Sequence, residues 1–376
     1  WIDSSVGQLA AFVPQAFPNG GLWADFLANG MIASFGSVVV FVPQVFILFL
    51  GIGLLEDTGY LARAATIIDK PFSKLGMSGR SFVPLLSGFA CAVPAMMATR
   101  NISSRKDRWI TMSIIPLMAC SARLPVYALL LSFLFYNQPA WKPGIAMAAL
   151  YLGSILVGIL AAVALSQFKK QEKQTLFMME LPIYRLPKVR NVLKNSFERT
   201  KAYLGKAGPV IFVLSLIVWA GMTFPNYQAQ NPERLETSYA GYLGKKIELI
   251  FSPMGVDWKV GVGLISAFAA REVFVSTLAV LFNISDTENP DGLQDSLISK
   301  MQGAIHDDGQ KIFTLATVAG LIVYFMIALQ CLSTFGVAIR EMNSTKFAVI
   351  QLVALNVLGY GLAVFVVHSL RFLGVA

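Results

Sequence analysis

Apolar residues run through this chain in long continuous stretches, not in the period-two alternation of half-buried or barrel strands. Stretches at about 33–55, 109–135, 143–168, 207–224, 312–339 and 347–370 are near the roughly 20 residues a helix needs to cross a bilayer. Each predicts a membrane-spanning helix. Two further stretches, 81–99 and 260–282, are broken by Gly or Pro, as by Pro84, Gly88 and Pro94 in the first. Polar residues collect between the stretches, and the pattern predicts an all-α integral membrane protein with broken or re-entrant helices.

Composition narrows the class. Of 376 residues, 56% are hydrophobic and only 14% charged, against about 25% charged in soluble domains, which excludes a water-soluble enzyme. The three cysteines are odd in number and lie inside apolar segments, which argues against a disulfide framework. With two histidines, no histidine-rich metal cluster can form. No G-x-x-x-x-G-K-[ST] phosphate loop and no nucleophile–base set occurs, so no catalytic site is expected and any nucleotide energy must enter from outside this chain. Trp1 is an improbable translation start, and the chain reads as part of a longer protein.

Charge asymmetry sets the orientation, because Lys and Arg near span ends stay cytoplasmic. Segment 169–206 carries ten Lys/Arg against three acids, and 99–108 carries Arg100, Arg105, Lys106 and Arg108 against Asp107. Both belong to the cytoplasm. Residues 1–29 hold only Asp3 and Asp25, and 283–311 hold six acids against Lys300 and Lys311, so both are exterior. Stretch 81–99 has basic flanks at both ends and therefore enters and returns; 260–282 does the same from the exterior. The last span, 347–370, puts the C-terminus outside.

An internal repeat supports this layout. The string "FSKLGMSGRSFVPLLSGFACAV" (72–93) aligns without gaps on "FSPMGVDWKVGVGLISAFAARE" (251–272), with eight identities in 22 positions, among them Phe72/Phe251, Gly76/Gly255 and Ser87/Ser266. Three crossings separate the first span of each copy, and an odd number inverts the second. Inverted repeats whose broken helices meet near the midplane are a transporter architecture with the substrate site between the repeats.

Within the membrane remain Arg123, Arg271 and Glu272. An intramembrane charge is costly unless paired or hydrated, so these face protein, either as an Arg–Glu pair holding the repeats together or with Glu272 on a cation path tuned by an arginine. Cys91 lies in the first broken stretch, and Cys120 and Cys331 lie inside long spans at comparable places in the two halves. A lone buried cysteine is ordinarily a small hydrophobe. Three near helix breaks or repeat-related positions also suit a soft-ligand path for a metal such as Fe(II), to which Met96, Met97 and Met118 could add weak sulfur contacts. Glu56 and Asp57, at the cytoplasmic end of 33–55, could receive an exiting cation or cap the following helix. The basic run 185–206 lies near anionic headgroups or feeds span 207–224. No nucleic-acid motif is present.

The strings "LEDTGYLARAA" (55–65), "SFVPLLSGFACAVPAMMATR" (81–100) and "MACSARLPVY" (118–127) closely resemble the membrane region of the ferrous iron transport protein B (FeoB) family, and "GLISAFAAREVFVSTL" (263–278) and "QCLSTFGVAIRE" (330–341) look like its second gate segment. The resemblance implies Fe(II) as transported ion across the bacterial inner membrane, two inverted gate repeats, and GTP and Mg bound only by a cytoplasmic domain absent here. Carried onto matching positions, it makes Cys91, Cys120 and Cys331 the iron-path residues, with Glu56, Asp57 and Glu272 as oxygen ligands. Gln330 departs from the family's frequent Pro, and Ser333 and Thr334 from its Ala-Thr. Implied partners are the lipid bilayer and that GTP-binding domain, with room for a small accessory protein and a homo-oligomer.

The expected organisation is an exterior loop (1–29), a first gate repeat with following spans (30–168), a basic cytoplasmic linker and interfacial helix (169–206), a second gate repeat containing the exterior loop 283–311 (207–341), and a C-terminal span (342–376). The expected function is Fe(II) permeation. The alternatives are Mn(II) or another small solute on the same fold, or a membrane scaffold.

Overall fold

The structure, a computed structural model, describes residue 12 and residues 21–136, 138–139, 141–168, 186–226, 237–269, 271, 273–282, 290–304 and 311–374. Regular structure among them is helical, and two compact units are present: residues 1–67 with 177–240, and residues 68–176 with 241–376.

The first unit is built on two long helices, α1 (Ala33–Asp57) and α8 (Val189–Thr223), which pack along each other. Both carry an internal proline, Pro43 and Pro209, which removes one backbone donor without ending the helix. Because α8 is continuous from Val189, the basic run feeds directly into the apolar span instead of forming a separate surface helix. After α1 the chain turns at Thr58-Gly59, where Gly59 adopts φ +79°, and bends by 79° into the amphipathic α2 (Tyr60–Lys74).

The second unit carries the broken helices. In the first gate copy, α3 (Phe82–Gly88) and α4 (Ala92–Ala98) are separated by 89–91, and α5 (Arg105–Ile114) and α6 (Leu124–Leu134) by two short 3-10 turns around 118–120. In the second, α9 (Tyr239–Phe251) leads to α10 (Trp258–Ala269) and α11 (Val273–Leu281), then α12 (Pro290–Gly303), and α13 (Leu315–Ile327) is separated from α14 (Leu332–Met342) by 328–331. Single long helices α7 (Trp141–Phe168) and α15 (Thr345–Phe372) follow each copy. Among the described residues, four stretches are long and apolar enough to cross a membrane: Arg105–Leu134, Trp141–Gln167, Leu315–Met342 and Thr345–Phe372.

The repeat is visible in the backbone. Gly76 and Gly255, aligned in sequence, both take left-handed φ (+76° and +72°), and a β-carbon at Gly255 would also collide with Arg371. The second break begins two residues later than the ungapped alignment places it. Spans 109–135 and 312–339, expected as uninterrupted crossings, are also broken, at 118–120 and 328–331. Pro116 and Pro125 explain the first of these breaks; the second has no Gly or Pro and is stabilised by side chains arriving from elsewhere.

The core of this unit forms two clusters. One gathers Phe274, Leu278, Leu321 and Phe325 of the second copy, and α6 of the first copy joins it through Val126, Tyr127, Leu129 and Leu130. The other gathers Met96, Ile110, Met112 and Ile115 of the first copy, and α14 of the second joins it through Ala338. Each copy therefore lends its last half-helix to the core of the other.

Candidate permeation centre

Breaking a helix frees carbonyls on one side of the gap and N–H groups on the other, and at membrane depth protein groups must satisfy them. The structure answers this at each gap. In the first copy, Ser121 bonds to the Ala90 carbonyl through its hydroxyl (2.8 Å) and its N–H (3.4 Å), tying the gap before α4 to the gap before α6. The guanidinium of Arg123, fully buried, donates to the carbonyls of Pro116 and Met118 at 2.9 Å and of Leu117 at 3.3 Å. In the second copy, buried Arg271 donates to Ala328 O at 3.0 Å, again joining the two gaps of one copy, and Asn356 of α15 donates to Leu329 O at 3.1 Å. Arg123 and Arg271 interact electrostatically across the copies.

The cysteines occupy equivalent places in this scheme. Cys91, Cys120 and Cys331 each sit in extended backbone at the residue before a new helical turn: φ/ψ is −155°/134°, −78°/160° and −143°/107°. None of the three is in a disulfide, and all are of intermediate exposure. The Ser121–Ala90 bonds put the backbone beside Cys120 against the backbone beside Cys91. Arg123 lies within electrostatic range of Cys120, as do Tyr127 and Tyr151. Among the described residues, no three His, Cys, Asp or Glu side chains come together in a metal-holding group.

Glu272 lies outside the described residues, between Arg271 and the start of α11. Among the described residues the hydrogen-bond acceptors of Arg123 and Arg271 are backbone carbonyls, not carboxylates. Met96 and Met118 are core packing: Met118 fills the space left by Gly88 and Gly158. Glu56 and Asp57 belong to the first unit. Glu56 pairs with Arg199 at 3.2 Å, and Asp57 accepts the N–H of Lys188, the residue before α8, at 2.8 Å.

Sequence reasoning missed two further features. Gln330 is fully buried, with its side-chain amide beside the Tyr324 hydroxyl. Glu341, just past the apolar stretch 312–339, is buried at 4% side-chain exposure and accepts from Arg100 at 2.5 and 2.7 Å and from Arg108 at 3.3 Å, joining the second copy to the first. The carboxylate also holds the Arg100 guanidinium above its ordinary pKa through hydrogen bonding and charge.

Comparison with known families decides the membership. The Gate model, described as nucleoside recognition, matches residues 38–134 and 204–345, and a model for the ferrous iron transport protein B C terminus matches 147–199. The chain belongs to the FeoB family. It is 36% identical over 374 residues to the Fe(2+) transporter FeoB of Leptospira interrogans, covering 96% of this chain and 53% of that protein. To the Fe(2+) transporter FeoB of Campylobacter jejuni it is 36% identical over 354 residues (92% and 55%). To the Fe(2+) transport protein A/Fe(2+) transporter FeoB fusion protein of Porphyromonas gingivalis it is 34% identical over 385 (94% and 45%). The chain thus spans about half the length of the curated FeoB relatives it matches. No solved structure matches it. The spanning helices and FeoB membership make it a multi-pass protein of the bacterial inner membrane with two copies of the gate fold.

Proposed function

We propose that this chain is the permeation part of an Fe(II) transporter, in which the ion passes the helix gaps by contact with Cys91, Cys120 and Cys331, with Glu272 as an oxygen ligand at the fourth gap and Glu56 and Asp57 receiving the ion at the cytoplasmic end. The observation that carries this reading is the shared position of the three thiols, each at the last residue of a helix gap, in a FeoB-family chain. Thiol sulfur suits a borderline metal better than Mg or Ca. The sulfurs act singly or in pairs, which favours release over storage. GTP hydrolysis couples to this path from a GTP-binding part of the full-length protein, and the basic segment 169–206 faces that part in the cytoplasm.

Iron uptake by cells carrying each Cys→Ser variant tests the path. Each is expected to lower the initial rate about tenfold or more, the scale on which even outer-shell changes alter metal sites. Unchanged uptake in all three removes the sulfur route. The description of the Gate model favours one second reading, a small organic solute on the same fold; competition of labelled Fe(II) uptake by Mn(II), Zn(II) and nucleosides separates the two.

A further inference from the structure

The first unit holds a cavity of about 210 Å³ between the C-terminal turns of α1 and the N-terminal turns of α8. On α1, Gly53, Glu56 and Asp57 share one face; on α8, Asn191, Asn195 and Arg199 recur every four residues and so form one stripe beside Ser196. The lining is rich in oxygen: two carboxylates, two amide carbonyls and a hydroxyl. Its floor is the hydroxyl of Ser196, 1% exposed and without a hydrogen-bond partner among the described residues. A buried polar atom left unsatisfied is costly, and one lining a cavity points to a ligand. Gly53 keeps the floor open: a β-carbon there would stand 3.2 Å from Val192 and 3.7 Å from the Ser196 oxygen.

We propose that this cavity is a divalent-cation site, with Glu56, Asp57, Asn191, Asn195 and Ser196 as oxygen ligands and Arg199 as the group that holds it closed when no ion is bound. Carboxylates, amide carbonyls and water are the donors that Mn(II)- and Fe(II)-like ions accept. At roughly 30 Å³ per water, the volume admits an ion with part of its hydration shell. Arg199 occupies Glu56 in an ion pair whose side chains are 46% and 57% exposed; such a pair is weak, and an arriving divalent charge displaces it. The site rests on the reading of Glu56 and Asp57 as receivers of the permeating ion. It adds a reason for their place, since an ion leaving the membrane meets a ligand set that must expel an arginine to hold it.

The test uses nucleotide-free full-length protein in detergent, titrated with Mn(II) as a redox-stable probe and followed by the loss of the free-ion EPR signal. Wild type is expected to bind one Mn(II) more than Glu56→Gln. Asn195→Ala, on an exposed helix position that tolerates alanine, is expected to weaken that ion about tenfold, the change typical of a lost metal-site partner. Arg199→Gln is expected to tighten it by removing the competitor. Titration of Glu56→Gln and Asn195→Ala indistinguishable from wild type, or weaker binding in Arg199→Gln, overturns the site. Iron uptake by the same variants is read separately: normal wild-type uptake with unaltered Mn(II) titrations removes the cavity and leaves transport standing, whereas a cavity ion with no uptake by wild type removes the transport reading alone.

Discussion

Arg123 is the most completely buried charge among the described residues, and its surroundings explain how it is tolerated. A guanidinium has five donors in a planar fork, and the three carbonyls at 116–118 have lost their helical partners, so its two terminal nitrogens satisfy them while Nε has no partner among the described residues. Arg123→Met removes the donors and leaves those carbonyls dry. At about 1–3 kcal/mol for each buried unsatisfied group, the variant is expected to lose at least about 2 kcal/mol, with Arg123→Lys intermediate because a lysine cannot reproduce the fork. Thermal unfolding of the detergent-solubilised protein measures both. The sequence showed that Arg123 and Arg271 had to be satisfied within the membrane, but not by what. A freed carbonyl has no residue type, so the partner of such an arginine is invisible until the break is seen. Cys91, Cys120 and Cys331 stood out as residues; their shared position at the end of a gap did not.

Among the elements, legibility followed proline and glycine. The gap at 89–91 was foreseen from Pro84, Gly88 and Pro94. That at 118–120 has prolines on both sides, yet its apolar run was long enough to read as a plain crossing. The gap at 328–331 carries no Gly or Pro signal, and the carbonyls it frees are met by Arg271 and Asn356 from distant parts of the chain. The exchange of α6 and α14 between copies was likewise outside reach of periodicity, which reports which face is apolar and not what covers it. Glu341 lies on the exchanged α14 and fastens it to Arg100 and Arg108. Removing one partner of a fully buried pair costs about 3–5 kcal/mol, and exposure of Arg100 at 59% reduces this, so Glu341→Ala is expected to cost about 1–3 kcal/mol. A double-mutant cycle with Arg108→Ala, read by thermal unfolding, separates the Glu341–Arg108 contribution from the rest.

At the scale of the molecule, the first long helix of each copy, α1 and α8, lies in one unit, and the broken helices lie in the other. Orientation rests on charge: the basic 99–108 and 169–206 against the acidic 283–311. Accordingly, Ser103→Cys is expected to react with a membrane-impermeant maleimide only in inside-out vesicles, and Ser296→Cys only in intact right-side-out ones; the reverse pattern inverts the assignment. The trading of half-helices also has a bearing on biogenesis. α6 ends at Leu134, and the earliest second-copy residue of the core cluster it joins, Phe251, is made 117 residues later. At about 5–20 residues per second, the ribosome needs on the order of ten seconds to supply it. Through that interval the nascent first half holds an apolar flank without its intended cover, so it cannot mature alone, and whatever shields it in the translocon acts before the second half arrives.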